Sequence, residues 1–316
     1  MTEEPPTRPK DRQPGSAPDN PKPEPAFDHA APACCQPDPT SDNSERAAIQ
    51  QNLAPTRQDP GPHSPERTAA RQDSAPRSPE LASIRDDLAA LADPAYQQFQ
   101  AKLVPNIDAA RVLGVRTPAL RAYARAFARD PRARSFMDAL PHETYEENNL
   151  HAELIGRLAK TPEDAFRMLD AFLPYVDNWA TCDLMRIPAF KKDLTATYRR
   201  IVGWTAPGQP EYAVRFGVVT LMELFLGEAF SPEHLQLVAR IDRPEYYINM
   251  ARAWYYSMAL VKRYEETVPL FEARPIVLDA WTHNKSLQKA RESRIPSAER
   301  KAYLQSLKVK VQRSKR

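Results

Sequence analysis

Cysteine is scarce in this 316-residue chain, which has only three. Cys34 and Cys35 are adjacent and Cys182 stands alone, so the sequence offers neither a disulfide framework nor a zinc-ligand set. Proteins with so little cysteine fit a reducing compartment. We therefore expect a cytoplasmic protein.

Glycine and long apolar runs are also scarce. The chain has eight glycines and no Asn-Gly or Asp-Gly pair, which argues against β-hairpins. No run of about 18 apolar residues occurs, and no apolar stretch follows the charged N-terminus, MTEEPPTRPK. These absences predict neither membrane insertion nor export.

Proline is abundant but unevenly placed, because 17 of the 32 prolines lie in residues 1–80. The same stretch has almost no Ile, Leu, Val or aromatic residue, so it cannot bury enough apolar surface to offset the entropy of ordering. We predict a disordered tail over residues 1–78, a folded domain over 79–308 and a short basic tail over 309–316.

Charge divides along the same boundary. Residues 1–80 hold 9 Lys and Arg against 13 Asp and Glu, which leaves 35 against 28 for the remainder. Residues 283–316 alone hold 11 Lys and Arg against two Glu. A basic end of this kind is typical either of a phosphate-binding surface or of a solvated tail that aids solubility, and charge alone does not separate the two.

The folded part has the periodicity of amphipathic helices. Apolar residues recur at helical spacing after capping or proline pairs such as Thr117-Pro118, Thr161-Pro162, Ser231-Pro232 and Arg274-Pro275. We predict an all-α fold of about a dozen helices. The helices fall into pairs spaced by roughly 35 to 45 residues, which favours a HEAT-like solenoid over a compact bundle.

Residues 176–183, VDNWATCD, are the first candidate site. If a helix begins here, Trp179 and Asp183 lie four residues apart on one face, where an aromatic ring and a carboxylate share one ligand. The alternative is that Trp179 is a core residue and Asp183 a surface or capping acid.

Arg215 is the second candidate, because it stands inside the nearly continuous apolar run 211–219. A guanidinium in such a run is either paired with an acid or faces a groove. An inter-helix salt bridge is the plainer explanation. The segment 245–256 then places five aromatic residues in twelve positions, and aromatics at that spacing are mostly core.

Lys285 and Lys289 are the third candidate, since they lie four apart in a basic segment, residues 283–294. A basic helix face of this kind either contacts backbone phosphate or is simply solvated. The sequence leaves both open.

Four segments, in this order, resemble the AlkD-like DNA alkylation repair proteins: 113–118 (LGVRTP), 177–179 (DNW) with Asp183, 214–217 (VRFG), and 253–254 (AW) followed by 287–289 (LQK). The resemblance spans about residues 84–307. It implies stacked HEAT-like repeats with a basic concave face that holds duplex DNA. Active members of the family are DNA glycosylases that remove cationic N3- or N7-alkylated purines without flipping the base.

The same resemblance implies the roles of individual residues. It places the catalytic carboxylate at Asp183, the sugar-contacting tryptophans at Trp179 and Trp254, and a DNA-gripping arginine at Arg215. An aromatic residue near the first repeat corresponds loosely to Phe99. Lys285 and Lys289 complete the expected DNA contacts.

The chemistry that the resemblance implies fits these residue types. An alkylated purine leaves readily because it already carries positive charge, so no general acid, metal or other cofactor is needed. The carboxylate stabilises the oxocarbenium-like sugar, and indole faces add cation–π attraction of about 0.5 to 2 kcal/mol each.

Three functions remain open at this point. The first is a monofunctional DNA glycosylase, expected to be a monomer. The second is a non-catalytic binder of damaged or branched DNA with the same fold, and the third is a helical-repeat scaffold for proteins. The second is considered because the residues that flank Trp179, Arg215 and Trp254 differ from those of the best-matched glycosylases of the family. Base release separates the first two, and the salt dependence of DNA affinity separates both from the scaffold.

Overall fold

The computed structural model describes residues 79–310, and within that range the chain is all helical. The predicted disordered tail, residues 1–78, and the last six residues of the predicted basic tail lie outside the described residues. Three short 3-10 helices, Ala109–Arg111, Leu173–Tyr175 and Pro188–Lys192, interrupt the connections. One isolated β-bridge joins Ala92 and Val115.

The described residues form fourteen α-helices. They are α1 (Pro79–Ala89), α2 (Pro94–Leu103), α3 (Thr117–Phe127), α4 (Arg132–Asp138), α5 (Tyr145–Leu158), α6 (Pro162–Phe172), α7 (Trp179–Leu184), α8 (Leu194–Trp204), α9 (Glu211–Phe225), α10 (Pro232–Ala239), α11 (Tyr246–Lys262), α12 (Tyr264–Glu272), α13 (Ala280–Glu292) and α14 (Ala298–Ser306).

Local chemistry explains many of the helix starts. Thr161 caps α6 by accepting a hydrogen bond from the backbone of Asp164, and Pro162 occupies the first turn, where its missing N–H is no loss. Thr144 and Glu147 form a reciprocal capping box at the start of α5. The predicted start at Arg274-Pro275 is wrong, because α13 begins at Ala280.

Alternate helices pack against one another in sequence. Helix α5 packs on α7, α7 on α9, α9 on α11, and α11 on α13. Among the intervening helices, α8 and α10 pack on α9, α12 packs on α11, and α14 packs on α13. The row α5-α7-α9-α11-α13 therefore runs through the domain as one layer, and it carries most of the candidate site residues.

Two hydrophobic clusters form the core. The smaller one is built from α1, α3, α4 and α5 around side chains such as Leu88, Leu120 and Phe136. The larger one extends from Val104 to Leu307. Burial of a continuous apolar surface of this extent is the main stabilising contribution to such a fold.

Glycine is required at two positions near the site. Gly114 has a φ of 93°, and a Cβ there would also collide with Gln97 and Asp93. This turn presents the backbone N–H groups of residues 113–115 to the fully buried carboxylate of Glu146, at 2.8 to 3.2 Å. Gly156 on α5 lets the carbonyl of Arg186, just after α7, approach too closely for any side chain.

Candidate functional site

Helix α7 begins directly after Asn178, inside the candidate segment 176–183. The Asn178 side chain accepts a hydrogen bond from the Thr181 backbone N–H at 2.8 Å and donates to the Thr181 hydroxyl at 2.9 Å. This cap fixes the helix start. Trp179 and Asp183 therefore lie one turn apart on the same helix, as the spacing predicts.

Trp179 is mostly buried and is held by a hydrogen bond. Its indole Nε1–H donates to the backbone oxygen of Leu103, at the end of α2, at 2.9 Å. The residue belongs to the larger hydrophobic cluster and also lines a cleft on the surface. Trp179 is thus both a core residue and a lining residue of the cleft.

Asp183 and Arg215 form a bidentate ion pair between α7 and α9. Arg215 Nε donates to Asp183 Oδ1 at 2.9 Å, and Arg215 Nη2 donates to Asp183 Oδ2 at 2.6 Å. Arg215 Nη1 donates to the Tyr247 backbone oxygen at 2.9 Å. The Arg215 side chain is only 1% exposed, whereas that of Asp183 is 11% exposed.

This geometry corrects the expected role of Arg215. The salt bridge that the sequence left as the plainer explanation is present. A guanidinium that is 1% exposed cannot also reach a phosphate on bound DNA while it holds this position. The structure instead makes Arg215 the residue that orients Asp183, because two parallel donors fix both carboxylate oxygens.

The cleft next to Asp183 has a volume of about 580 Å³. Asp183 and Trp179 line it together with Phe99, Arg121 and Arg186. Phe99 projects from α2 with 51% of its surface exposed. The structure thus brings three of the sequence-predicted residues, Phe99, Trp179 and Asp183, into one open cleft.

Arg186 and Glu223 extend the charged surface beside Asp183. Arg186 Nη1 donates to the backbone oxygen of Asp183 at 2.6 Å and lies 2.9 Å from the Glu223 carboxylate. Desolvation raises the pKa of Glu223 to about 7, and the neighbouring Asp183 carboxylate adds to the rise. The Glu223 carboxyl therefore holds its proton more tightly than an exposed glutamate does.

Sequence reasoning missed Arg121 and Arg186. Both lie in the cleft wall, and both are paired with acids, Arg121 with Glu153 at 2.9 Å and Arg186 with Glu223. Neither stands in a recognisable motif. Only the packing of α3, α5, α7 and α9 brings them to the same opening as Asp183.

Trp254 lies on α11 and is mostly buried in the larger cluster. It follows Tyr247 by two helical turns, so it shares the face that Tyr247 presents to α9. It is not among the residues that line the Asp183 cleft. Its predicted contact with a deoxyribose remains a prediction.

Lys285 and Lys289 lie one turn apart on α13, as their spacing predicts. Lys285 is partly exposed and its Nζ lies 3.5 Å from Gln288 Oε1. Lys289 is only 8% exposed. The pair is therefore not a simple solvated face, and Lys289 offers little surface for a phosphate.

The described residues carry neither a metal-ligand cluster nor a membrane-spanning helix. In residues 79–310, no group of three or more His, Cys, Asp or Glu side chains is arranged to hold a metal ion. In the same range, no helix has both the length and the apolar character needed to cross a bilayer. Cys182 is a buried free thiol, and burial raises its pKa well above the usual value.

Comparison with known families gives a match over part of the chain. The model of a family described as DNA alkylation repair enzyme matches residues 84–223. This range includes Phe99, Trp179, Asp183 and Arg215, and it ends before Trp254 and the lysines of α13. Searches of curated proteins and of solved structures gave no match.

Proposed function

We propose that the chain, whose residues 84–223 match the model of the DNA alkylation repair enzyme family, is a DNA glycosylase. The substrates would be duplex DNA carrying cationic N3- or N7-alkylated purines, and the product the free alkylated base. The match to this family supports a role in DNA alkylation repair.

The observation that supports the proposal is the position of the Asp183 carboxylate. It lies at the wall of an open cleft, one turn from Trp179 and anchored from behind by Arg215. When the glycosidic bond of an alkylpurine breaks, positive charge develops on the deoxyribose. A carboxylate fixed beside that sugar stabilises the charge without having to reorganise.

An alkylated purine needs no general acid in this reaction. The cationic base leaves as a neutral molecule when it takes the bonding electron pair, and water then adds to the sugar and loses a proton. The residues of the cleft agree with this requirement, because Asp183 is held as a hydrogen-bond acceptor by Arg215 and is not placed as a proton donor. Trp179 would contribute attraction to the sugar cation through its ring face.

The ion pair with Arg215 determines how Asp183 acts. Two donors of Arg215 hold the Asp183 carboxylate in one orientation, so the position of its oxygen atoms relative to the cleft is fixed. The guanidinium also reduces the net charge of the pair. The stabilising effect on a sugar cation then comes from the dipole of the pair, whose negative end lies on the cleft side.

Duplex DNA would be held by the layer α5-α7-α9-α11-α13 as a HEAT-like repeat surface. Arg121 and Arg186 at the cleft and Lys285 on α13 would provide backbone contacts, and Phe99 would provide an apolar contact. A cleft that is open to the surface suits attack on the sugar from the groove. It does not require the base to be flipped into a pocket.

Release of free base is the direct test. The full chain is incubated with duplex DNA that carries N7-methylguanine or N3-methyladenine, and the released base is measured by chromatography. A matched unmodified duplex is the control. The proposal predicts release from the alkylated duplex alone, and no release from either duplex would contradict it.

A second function, non-catalytic binding of damaged or branched DNA, is favoured by one feature of the site. Because Arg215 partly neutralises Asp183, the cleft has less negative charge to offer a sugar cation than a free carboxylate would have. A binder would show DNA affinity that falls steeply with salt but no base release. The base-release assay run beside a binding titration therefore separates the two functions.

A further inference from the structure

A second cleft, of about 550 Å³, opens at the N-terminal ends of α9 and α11 and shares no lining residue with the Asp183 cleft. Its walls come from the loop before α7, from the start of α9 and from α5. The volume lies in the range of about 300 to 1,000 Å³ that is usual for small-molecule sites. None of the steps proposed above uses it.

Aromatic rings form one side of this second cleft. Tyr175 is 41% exposed, and the Tyr212 and Tyr247 rings lie 5.9 Å apart with an interplanar angle of 37°. A hydrogen bond from Asn106 Nδ2 at 3.2 Å holds the Tyr212 hydroxyl. Tyrosine faces arranged in this way are suited to stack on a planar ring.

An unpartnered acceptor belongs to another lining residue of the cleft. Asn148 of α5 is only 2% exposed and lines the cleft, and its Oδ1 atom has no hydrogen-bond partner within residues 79–310. Buried amide oxygens in folded proteins are nearly always hydrogen-bonded. A ligand that donates a hydrogen bond from within the cleft would satisfy this atom.

Carboxylates add further acceptors to the lining. Asp177 is paired with Arg111 at 3.1 Å, whereas Glu211 stands at the start of α9 beside the backbone of Tyr247. Burial raises the pKa of Glu211, which indicates that part of its hydration has been lost. The charged side chains of the lining, Arg111, Asp177 and Glu211, sum to one negative charge, so the cleft does not favour phosphate.

We propose that this second cleft binds a purine base that carries an exocyclic amino group. The base would stack on Tyr175 and the neighbouring tyrosines and donate hydrogen bonds to Asn148 Oδ1 and the Glu211 carboxylate. Two sources supply such a base. One is the free base released by the proposed glycosylase reaction, and the other is an unpaired purine in a DNA strand. Only the first source rests on the proposed function.

Calorimetric titration of the full chain tests the proposal with two probes. The first probe is free 3-methyladenine and the second is a single-stranded hexamer of deoxyadenosine. Tyr175→Ala removes the most exposed ring of the cleft, so the fold should not change. Base stacking on an aromatic ring is strong enough that its loss should weaken binding by about fivefold or more.

A matched variant locates the effect. Tyr303→Ala removes an exposed ring from α14, where the Tyr303 hydroxyl bonds to Glu272. It should leave 3-methyladenine binding unchanged. Glu211→Gln keeps the size of the side chain but removes a charged acceptor, and it should weaken binding in the same direction as Tyr175→Ala.

The outcomes are distinct from those of the base-release assay. Binding of 3-methyladenine that depends on Tyr175 supports a site for released base, and binding of the hexamer that depends on Tyr175 supports a site for an unpaired base. Binding of neither probe, or binding that Tyr175→Ala leaves unchanged, overturns the proposal. If the base binds here but the chain releases none from DNA, the proposed function fails and the second cleft stands.

Discussion

Replacing Asp183 with Asn should destabilise the fold as well as the proposed reaction. Arg215 is 1% exposed and gives two of its hydrogen bonds to Asp183. The asparagine amide offers one acceptor oxygen and no charge, so a buried guanidinium would lose its counter-charge. Breaking a buried pair by removing one partner typically costs about 3 to 5 kcal/mol.

The lower end of that range applies here. Asp183 keeps 11% of its side chain exposed, and the asparagine oxygen can still accept one hydrogen bond. We therefore expect Asp183→Asn to lower the free energy of unfolding by about 3 kcal/mol. For a domain of this size that corresponds to a fall in Tm of about 6 to 12 °C.

A double-mutant cycle isolates the pair. Arg215→Gln removes the guanidinium, and the double variant Asp183→Asn with Arg215→Gln leaves two neutral amides facing each other. The double variant should be more stable than the sum of the single losses predicts, by about 1 to 3 kcal/mol. Thermal unfolding of the full chain, followed by circular dichroism at 222 nm (the α-helix band), measures all four proteins.

Asp170→Asn is the matched control for this cycle. Asp170 is paired with Arg200, but both side chains are substantially exposed, so the change should alter stability by less than about 1 kcal/mol. If Asp183→Asn were as mild as Asp170→Asn, the bidentate pair would not be contributing as its burial implies. A coupling energy near zero would refute the reasoning equally.

Three further predictions concern other parts of the described structure. Trp179→Phe keeps an aromatic ring but removes the hydrogen bond to the Leu103 carbonyl, and it should lower the free energy of unfolding by about 1 to 3 kcal/mol in urea titration. Burial lowers the pKa of His151 well below its usual value, so His151 binds its proton more weakly in the folded than in the unfolded chain. Its contribution to stability is complete above the unfolded pKa of about 6.5 and is lost as the pH falls from there toward the lowered folded value. Tm should therefore fall between pH 7.5 and pH 5.5, with a shallower fall in His151→Asn; an equal fall in both proteins would contradict the assignment. Lys285→Ala should reduce the slope of log DNA affinity against log salt by about 1, whereas Lys289→Ala should mainly lower Tm because Lys289 is buried. The reverse pattern would show that Lys289 is the phosphate contact.

The fold class could be predicted because local signals agree with the packing. Pairs such as Thr161-Pro162 and Ser231-Pro232 start helices in the structure as the sequence predicts. The exception, Arg274-Pro275, shows the limit of that signal. A proline indicates that the preceding helix ends, but the next helix begins only where a side chain can cap it. Here Asp279 caps α13 by accepting a hydrogen bond from the backbone N–H of Thr282.

The site could be predicted only in part. Spacing along one helix places Trp179 and Asp183 on the same face, and the structure confirms this arrangement. The partner of Asp183 is 32 positions away in the chain, and no periodicity identifies it. The packing of α7 on α9 determines that Arg215 pairs with Asp183 and does not face a groove.

Burial on α13 depends equally on tertiary contacts. Spacing puts Lys285 and Lys289 on one helix but does not show which positions later residues of the chain cover. In the structure His283 contacts the backbone of Leu307, and Asn284 exchanges two hydrogen bonds with Val309. Residues 307–309 therefore pack on α13, although Val309 was expected to belong to a basic tail.

In the proposed reaction, the Asp183 carboxylate stabilises the sugar cation as the alkylated base is released. The most direct measurement is the single-turnover rate of base release from N3-methyladenine duplex DNA, for the parent chain and for the double variant Asp183→Asn with Arg215→Gln. The double variant removes the charge without leaving the guanidinium unpaired. We predict release by the parent and a rate lower by about a hundredfold to a thousandfold in the variant, at unchanged DNA affinity. Equal rates in the two proteins, or no release by the parent, would contradict the account.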